Sequence, residues 1–99
     1  MNEKLKSPEL DDLFAAVLTL KNAQECYAFF EDLCTISELK IMAQRLKVAK
    51  MLDKGHAYSE IVKDSGASTA TISRVNRCLV YGNDGYKVVL ERLDPPKKT

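Results

Sequence analysis

The stretch from Tyr58 to Leu79, YSEIVKDSGASTATISRVNRCL, predicts two short helices joined by a tight turn. Gly66 lies at the turn, where a positive φ costs a glycine little, and Ser68 is placed to cap the second helix. Apolar residues recur where the two helices must pack against each other: Ile61, Ala67, Ile72 and Val75. This pattern is typical of a helix-turn-helix, which lays its second helix in the DNA major groove. An ordinary helical hairpin within an all-α core is the alternative.

The second helix and the exposed side of the first carry the side chains that we expect to contact DNA. Helix-turn-helix proteins contact bases with the N-terminal part of the second helix, and hydroxyl and basic side chains hold the phosphates. The predicted DNA-binding residues are Ser59, Lys63, Ser68, Thr69, Ala70, Thr71, Ser73, Arg74 and Arg77. Because Thr, Ser and Ala allow several pairings with bases, the sequence does not predict the operator.

The net charge of +1 conceals an uneven distribution. Residues 1–39 hold three Lys or Arg against eight Asp or Glu, whereas residues 40–77 hold eight against three. A basic segment attracts phosphates whatever the base sequence, so its coincidence with the motif favours double-stranded DNA as the partner. Solvated helix faces would be the plainer explanation of the same charges.

Length and composition predict one folded domain. The chain has 99 residues and 45% hydrophobic content, and we expect a single domain over residues 1–99 with mobile tails at 1–6 and 95–99. No apolar run approaches the roughly 18 residues of a membrane span, and no signal peptide pattern is present, so we expect a cytoplasmic location and no membrane partner.

The cysteines and the histidine show no metal-binding or disulfide pattern. Cys26, Cys34 and Cys78 form no CxxC pair, and we expect each to be a small buried apolar residue. His56 has no Cys or His at metal-ligand spacing and is expected at the surface after Gly55. We therefore predict no metal site and no cofactor.

Apolar periodicity predicts an all-α chain of six helices. Three helix starts carry capping signals: Ser7 before Pro8, Asn22 with Glu25, and Thr35 with Glu38. The third helix is the longest, and its expected inward side is formed by Leu39, Met42, Leu46, Ala49 and Leu52. Its expected solvent side is formed by Lys40, Gln44, Lys47, Lys50 and Lys54. The sixth helix follows the turn at 82–85 and ends at Asp94.

The first, second and sixth helices each have an apolar stripe that a chain of 99 residues has little surface to cover. A second copy of the chain is the simplest partner that could bury these stripes, because symmetric dimers are the commonest oligomers. Pairing also places two recognition helices for half-sites roughly 34–36 Å apart on DNA. We therefore expect a homodimer.

Four motifs resemble the Trp repressor and the short Trp repressor-related proteins of the YerC/YecD family. They are TISE at 35–38, QRLKV at 44–48, LDKG at 52–55 and GASTATISR at 66–74. The helix order agrees along the rest of the chain. The resemblance implies an all-α, six-helix Trp repressor-like fold and an intertwined homodimer that binds operator DNA and represses transcription.

The resemblance also implies an effector pocket, and there two positions differ. Arg45, Arg74 and Thr35 match the residues that hold tryptophan in the repressor. Val75 stands where the repressor has a glycine that leaves room for the indole, and Cys78 replaces a serine that helps to hold the amino group. Sulfur accepts hydrogen bonds weakly. We therefore do not expect regulation by tryptophan, and whether another effector exists is left open.

The two arginines of that pocket then need another role, which we interpret as pairing with carboxylates or touching phosphate. No Gly-rich phosphate loop, nucleophile elbow or histidine beside a nucleophile indicates an enzyme. The alternative function is a helical protein-interaction module that contacts the transcription machinery or another regulator. Salt separates the two functions, because DNA binding weakens steeply as salt rises and a mainly apolar protein contact does not.

Overall fold

The computed structural model describes residues 3–95, and within them the chain forms six α-helices and no strand. The helices are α1 (Pro8–Val17), α2 (Ala23–Leu33), α3 (Ile36–Asp53), α4 (Tyr58–Ser65), α5 (Thr69–Tyr81) and α6 (Gly85–Leu93). The predicted all-α fold class is confirmed. No helix in the described part is both long and apolar enough to cross a membrane. Of the predicted mobile tails, residues 1, 2 and 96–99 lie outside the described residues.

Helices α1, α2 and α3 begin where the sequence places capping side chains. Three oxygens accept from free N–H groups of a first turn: Ser7 Oγ from Leu10 (3.1 Å), Asn22 Oδ1 from Glu25 (2.9 Å) and Thr35 Oγ1 from Glu38 (3.1 Å). The Glu38 carboxylate accepts in return from the Thr35 N–H at 2.8 Å, which completes the predicted capping box. That backbone bond, with the Thr35 side chain, lowers the pKa of Glu38 below its ordinary value.

The chain divides into two compact units, one ending at Leu39 and the other beginning at Lys40. The boundary between acidic and basic sequence falls at the same place. In the N-terminal unit none of the described residues is buried. Leu18, Tyr27 and Ile36 are 85%, 75% and 71% exposed. The helices of this unit therefore form with correct caps but without a core of their own.

The C-terminal unit contains all of the buried residues that the structure describes. They are Val48, Ala49, Met51, Ile61, Ala67, Ile72, Val75, Leu79 and Leu90, contributed by α3 to α6 and the turn before α5. The four residues predicted to bury between the two short helices are among them. Helix α4 contacts α5, and α5 contacts α6.

The prediction for the two sides of α3 was partly wrong. Of the residues expected inward, Ala49 is buried, Leu46 and Leu52 are half-buried against the core, and Met42 is exposed. Val48 and Met51 are buried without having been predicted. Of the residues expected to face solvent, Gln44 is half-buried and the four lysines are exposed, and Gln44 and Lys47 also donate hydrogen bonds to α4. Only the later turns of α3 contribute to the core, and helical periodicity alone does not indicate which part of a long helix is covered.

The prediction of three buried cysteines was wrong. Cys26 and Cys78 are exposed and Cys34 is half-buried, all three as free thiols. Cys78 precedes Leu79 on α5, and a shift of one residue turns a side chain by about 100° around a helix, which takes it off the buried stripe. Among residues 3–95 no three Cys, His, Asp or Glu side chains cluster as metal ligands.

Candidate nucleic-acid interface

The turn between α4 and α5 is fixed by hydrogen bonds within the chain. Gly66 has a φ of +72°, and its N–H donates to the Val62 carbonyl at 3.0 Å, which ends α4 in the left-handed conformation that favours glycine. The Ser65 hydroxyl donates to the Ile61 carbonyl at 2.5 Å and accepts from the Ala67 N–H at 3.1 Å. The turn therefore has one well-defined geometry.

Ser68 caps α5 as the sequence predicts. Its hydroxyl accepts from the Thr71 N–H at 3.1 Å and lies 3.1 Å from the Thr71 hydroxyl. Two of the predicted DNA contacts are thus already hydrogen-bonded to each other. The first turn of α5 has no acidic residue, unlike the first turns of α1 to α4. The positive end of its dipole is therefore not offset by a carboxylate of its own first turn.

Helix α5 has a buried side and an exposed side. Ile72, Val75 and Leu79 form the buried stripe. The exposed residues Thr69, Ala70, Ser73, Arg74 and Arg77 fall within an arc of about 140° around the helix, at about 100° per residue. We call these five residues the α5 face. Ser59 and Lys63, one turn apart on α4, are also exposed, whereas Thr71 is half-buried.

The cations of this region have no partner within the described part of the chain. The side chains of Lys63, Arg74 and Arg77 are exposed and make neither an ion pair nor a hydrogen bond among residues 3–95. A guanidinium in this state keeps its five donors for an external anion, and its planar fork suits phosphate and guanine edges.

Helix α4 begins at a cluster that the sequence analysis did not predict. Glu60 accepts from the Ala57 N–H at 3.2 Å, and its second oxygen lies 3.2 Å from Nδ1 of His56. The hydrogen bond with His56, followed by the Ala57 bond, lowers the pKa of Glu60. The bond from the Ala57 N–H is the carboxylate half of a capping box, and the other half is missing because Ala57, the N-cap residue, has no side-chain oxygen.

Two further residues of the site were missed. Gln44 Nε2 donates to the Ser65 carbonyl at 3.1 Å, and Lys47 Nζ donates to the Asp64 carbonyl at 2.9 Å. The last carbonyls of a helix lack partners within it, so donors at that end are expected. The sequence does not indicate which helix supplies these donors, because a lysine and a glutamine three residues apart are equally typical of a solvent-exposed helix face.

Comparison with known proteins shows one family along nearly the whole chain. The family profile described as Trp repressor protein matches residues 8–94. The chain is 57% identical over 91 residues to the uncharacterized protein YerC of Bacillus subtilis strain 168, covering 92% of this chain and 88% of that protein. The chain belongs to the Trp repressor family.

Two solved structures of Trp repressor-like proteins have the same fold. A candidate Trp repressor from Staphylococcus aureus is 53% identical, with a TM-score of 0.90 over 97% of this chain and 96% of that one. A TrpR-like protein from Eubacterium eligens ATCC 27750 is 55% identical, with a TM-score of 0.91 over 98% of this chain and all of that one (100%). The expected Trp repressor-like arrangement of six helices is thereby confirmed.

The five residues matched to the Trp repressor effector pocket have different surroundings. Thr35 belongs to the N-terminal unit, and its hydroxyl caps α3. Arg45 is half-buried, Arg74 and Cys78 are exposed, and Val75 is only 2% exposed within the core. Neither arginine pairs with a carboxylate in the described part of the chain, so the carboxylate-pairing interpretation was wrong there.

Proposed function

We propose that this Trp repressor-family chain is a sequence-specific DNA-binding regulator of transcription, and specifically a repressor. In this proposal α4 and α5 are a helix-turn-helix, and α5 is the recognition helix. The observation that carries it is the α5 face, where Thr69, Ser73 and Arg74 are exposed opposite the buried stripe and their side chains have no hydrogen-bond partner within the described residues.

The proposed contacts divide between bases and phosphates. Thr69, Ala70, Ser73 and Arg74 lie on the first turns of the α5 face, where a recognition helix meets base edges. The remaining predicted residues are proposed to contact phosphates: Ser59, Lys63, Ser68, Thr71 and Arg77. The hydroxyls of Ser68 and Thr71 are hydrogen-bonded to each other. Their proposed phosphate contact therefore uses the remaining donors, including the free N–H groups at the start of α5.

We further propose that the regulator is a homodimer. The N-terminal unit has apolar side chains on both of its leading helices and buries none of its described residues. Apolar surface of this extent gains free energy when a partner covers it, and a second copy is always present. A two-fold arrangement also supplies two α5 faces, one for each half-site.

Tryptophan is not the proposed effector. Val75 belongs to the same packed core as Ile61 and Ile72, so its side chain does not yield volume to an indole cheaply. Cys78 is a poor acceptor for an ammonium. The proposal includes no cofactor and no enzymatic step, and a cytoplasmic location stays a prediction.

A protein-interaction module is the second candidate function. Tyr81 at the end of α5 is 84% exposed, and Val80 beside it is exposed as well. Exposed apolar side chains at a helix end favour a contact with protein. That contact should be nearly independent of salt, whereas DNA affinity should fall linearly on a log–log plot as salt rises.

The proposal is tested by changing the α5 face while keeping the fold. Arg74→Ala, or Thr69→Ala with Ser73→Ala, should weaken binding to a selected operator by about 1–3 kcal/mol for each lost contact in a gel-shift assay. Arg92→Ala on α6 is the matched control, since it removes an exposed arginine far along the sequence from the α5 face. Unchanged affinity in the α5 variants, with melting temperatures intact, would contradict the assignment of α5 as the recognition helix.

A further inference from the structure

Helix α3 holds the end of α4 through two side chains. Gln44 and Lys47 are three residues apart on α3 and therefore lie on one side of it. They donate to the carbonyls of Ser65 and Asp64, the last two residues of α4. All four residues belong to the C-terminal unit. The two carbonyls have no partner in their own helix, because α4 ends there, and the side chains of α3 supply the donors instead.

We infer that Gln44 and Lys47 are positioning residues, a clamp that sets the turn and thereby the orientation in which α5 meets DNA. This inference rests on the proposed function of α5. A short series of hydrogen bonds connects Gln44 to the start of α5. Ser65 accepts from Gln44 through its carbonyl, and its hydroxyl holds the Ala67 N–H. Ser68, the next residue, caps α5.

Lys47 differs from the lysine proposed to contact phosphate. Its ammonium is bonded to the Asp64 carbonyl, at the end of α4 where the helix dipole favours a cation. The Lys63 ammonium makes no bond within the described part of the chain. Removing a phosphate contact lowers the log–log salt slope of binding by about one, because fewer counterions are released. Removing a clamp bond instead lowers the population of the competent turn, which leaves that slope unchanged.

Four variants separate the clamp from a general loss of charge. Gln44→Met and Lys47→Met remove a donor while keeping most of the side-chain length, and Lys47→Arg restores a cationic donor. Lys50→Met is the matched control, because Lys50 is an exposed lysine on the same helix with no bond to α4. We expect Gln44→Met and Lys47→Met each to lose up to roughly tenfold in operator affinity, the equivalent of one net hydrogen bond. Lys47→Arg and Lys50→Met should stay within about twofold of the wild type.

Amide hydrogen exchange tests the clamp without DNA. The Gly66 and Ala67 amides should exchange faster in Gln44→Met and Lys47→Met by about the factor lost in affinity, and at the wild-type rate in Lys50→Met. If Gln44→Met does not fold, the exposed Lys47 variants decide the question by the same measurements.

Three results would overturn the inference. One is affinity and exchange in the clamp variants equal to the Lys50→Met control. Another is a salt slope for Lys47→Met that falls by about one, the fall expected when a phosphate contact is removed, because Lys47 would then be such a contact. The third is a wild-type protein that binds no DNA duplex. That result would contradict the proposed function and, with it, the proposed role of Gln44 and Lys47. In the first two cases the wild type still binds operator, so the proposed function survives.

Discussion

The N-terminal unit of this chain is the better capped of the two units, whereas the C-terminal unit is the better packed. Ser7, Asn22 and Thr35 begin the helices of the N-terminal unit, and Ser68 begins α5 in the C-terminal unit, all with side-chain oxygens. Only the C-terminal unit buries side chains. The comparison shows that capping signals decide where helices begin, whereas they contribute too little to make a unit stable by itself.

The same two units differ in charge and in proposed role. The basic C-terminal unit contains the α5 face and a core of its own. The acidic N-terminal unit exposes apolar side chains that a second copy is proposed to cover. Substitutions of the same kind in the two units should therefore act on different equilibria, the folding of the chain and the association of two chains.

The largest expected effect is on folding, from an isoleucine in the core. Ile72→Ala should lower the free energy of unfolding by about 2–5 kcal/mol, because Ile72 is fully buried and its truncation leaves a cavity. Ile36→Ala is the matched change in the N-terminal unit, and there the main loss should appear as weaker dimerisation. Urea unfolding at several protein concentrations distinguishes the two. Equal, concentration-independent losses would contradict the difference between the units.

The second effect is on association. Leu18→Asp should shift the protein toward monomer, because burying an apolar side chain of this size is worth about 1.5–3 kcal/mol and a charge there costs more. Thr19→Asp, which adds the same charge beside it, should leave the dimer nearly intact. Light scattering at micromolar concentration measures both. A wild type that scatters as a chain of 11.1 kDa would show that no dimer forms.

A smaller effect concerns acid. Accepted hydrogen bonds lower the pKa of Glu38 from 4.5, so the folded chain keeps this carboxylate charged more readily than the unfolded chain does. The resulting stabilisation is complete above about pH 4.5 and is lost as pH falls through the lowered folded-state pKa. Glu38→Gln keeps an acceptor but does not titrate there. Its melting temperature should thus fall less than that of the wild type in acid; parallel curves would exclude Glu38 as a source of acid sensitivity.

The smallest expected effect is that of tryptophan, which should be none. Calorimetry should show no binding to the wild type up to about millimolar ligand, since Val75 is packed into the core. Val75→Gly should admit weak binding through Arg45 and Arg74, although the glycine also loosens α5 by about 1 kcal/mol. Tight tryptophan binding by the wild type would show that the pocket is open.

Sequence predicted the fold better than it predicted contacts between helices. The starts of α1, α3 and α5 follow from local capping, and the motifs at 35–38, 44–48, 52–55 and 66–74 indicated the family. The exposed side of Cys78 and the bonds of Gln44 and Lys47 did not follow, because they depend on which neighbouring helix covers which turn. Periodicity describes one helix at a time, so contacts between helices are beyond it.

The residues of the α5 face could be predicted because a buried stripe fixes the opposite side of a helix. Ile72, Val75 and Leu79 occupy one side of α5, which leaves Thr69, Arg74 and their neighbours exposed. The effector residues were harder to predict. Their match to the Trp repressor identifies which positions correspond to the effector pocket. It does not predict the burial or the hydrogen bonds of each side chain, because these depend on the neighbouring helices.

Selection of bound sequences from a random duplex pool tests the central claim most directly. The wild-type protein should enrich a palindrome whose half-sites are centred roughly 34–36 Å apart, one DNA turn. Binding to it should weaken linearly on a log–log plot as salt rises. No enriched sequence after repeated rounds at low salt, or affinity that does not change with salt, would contradict sequence-specific DNA binding by this protein.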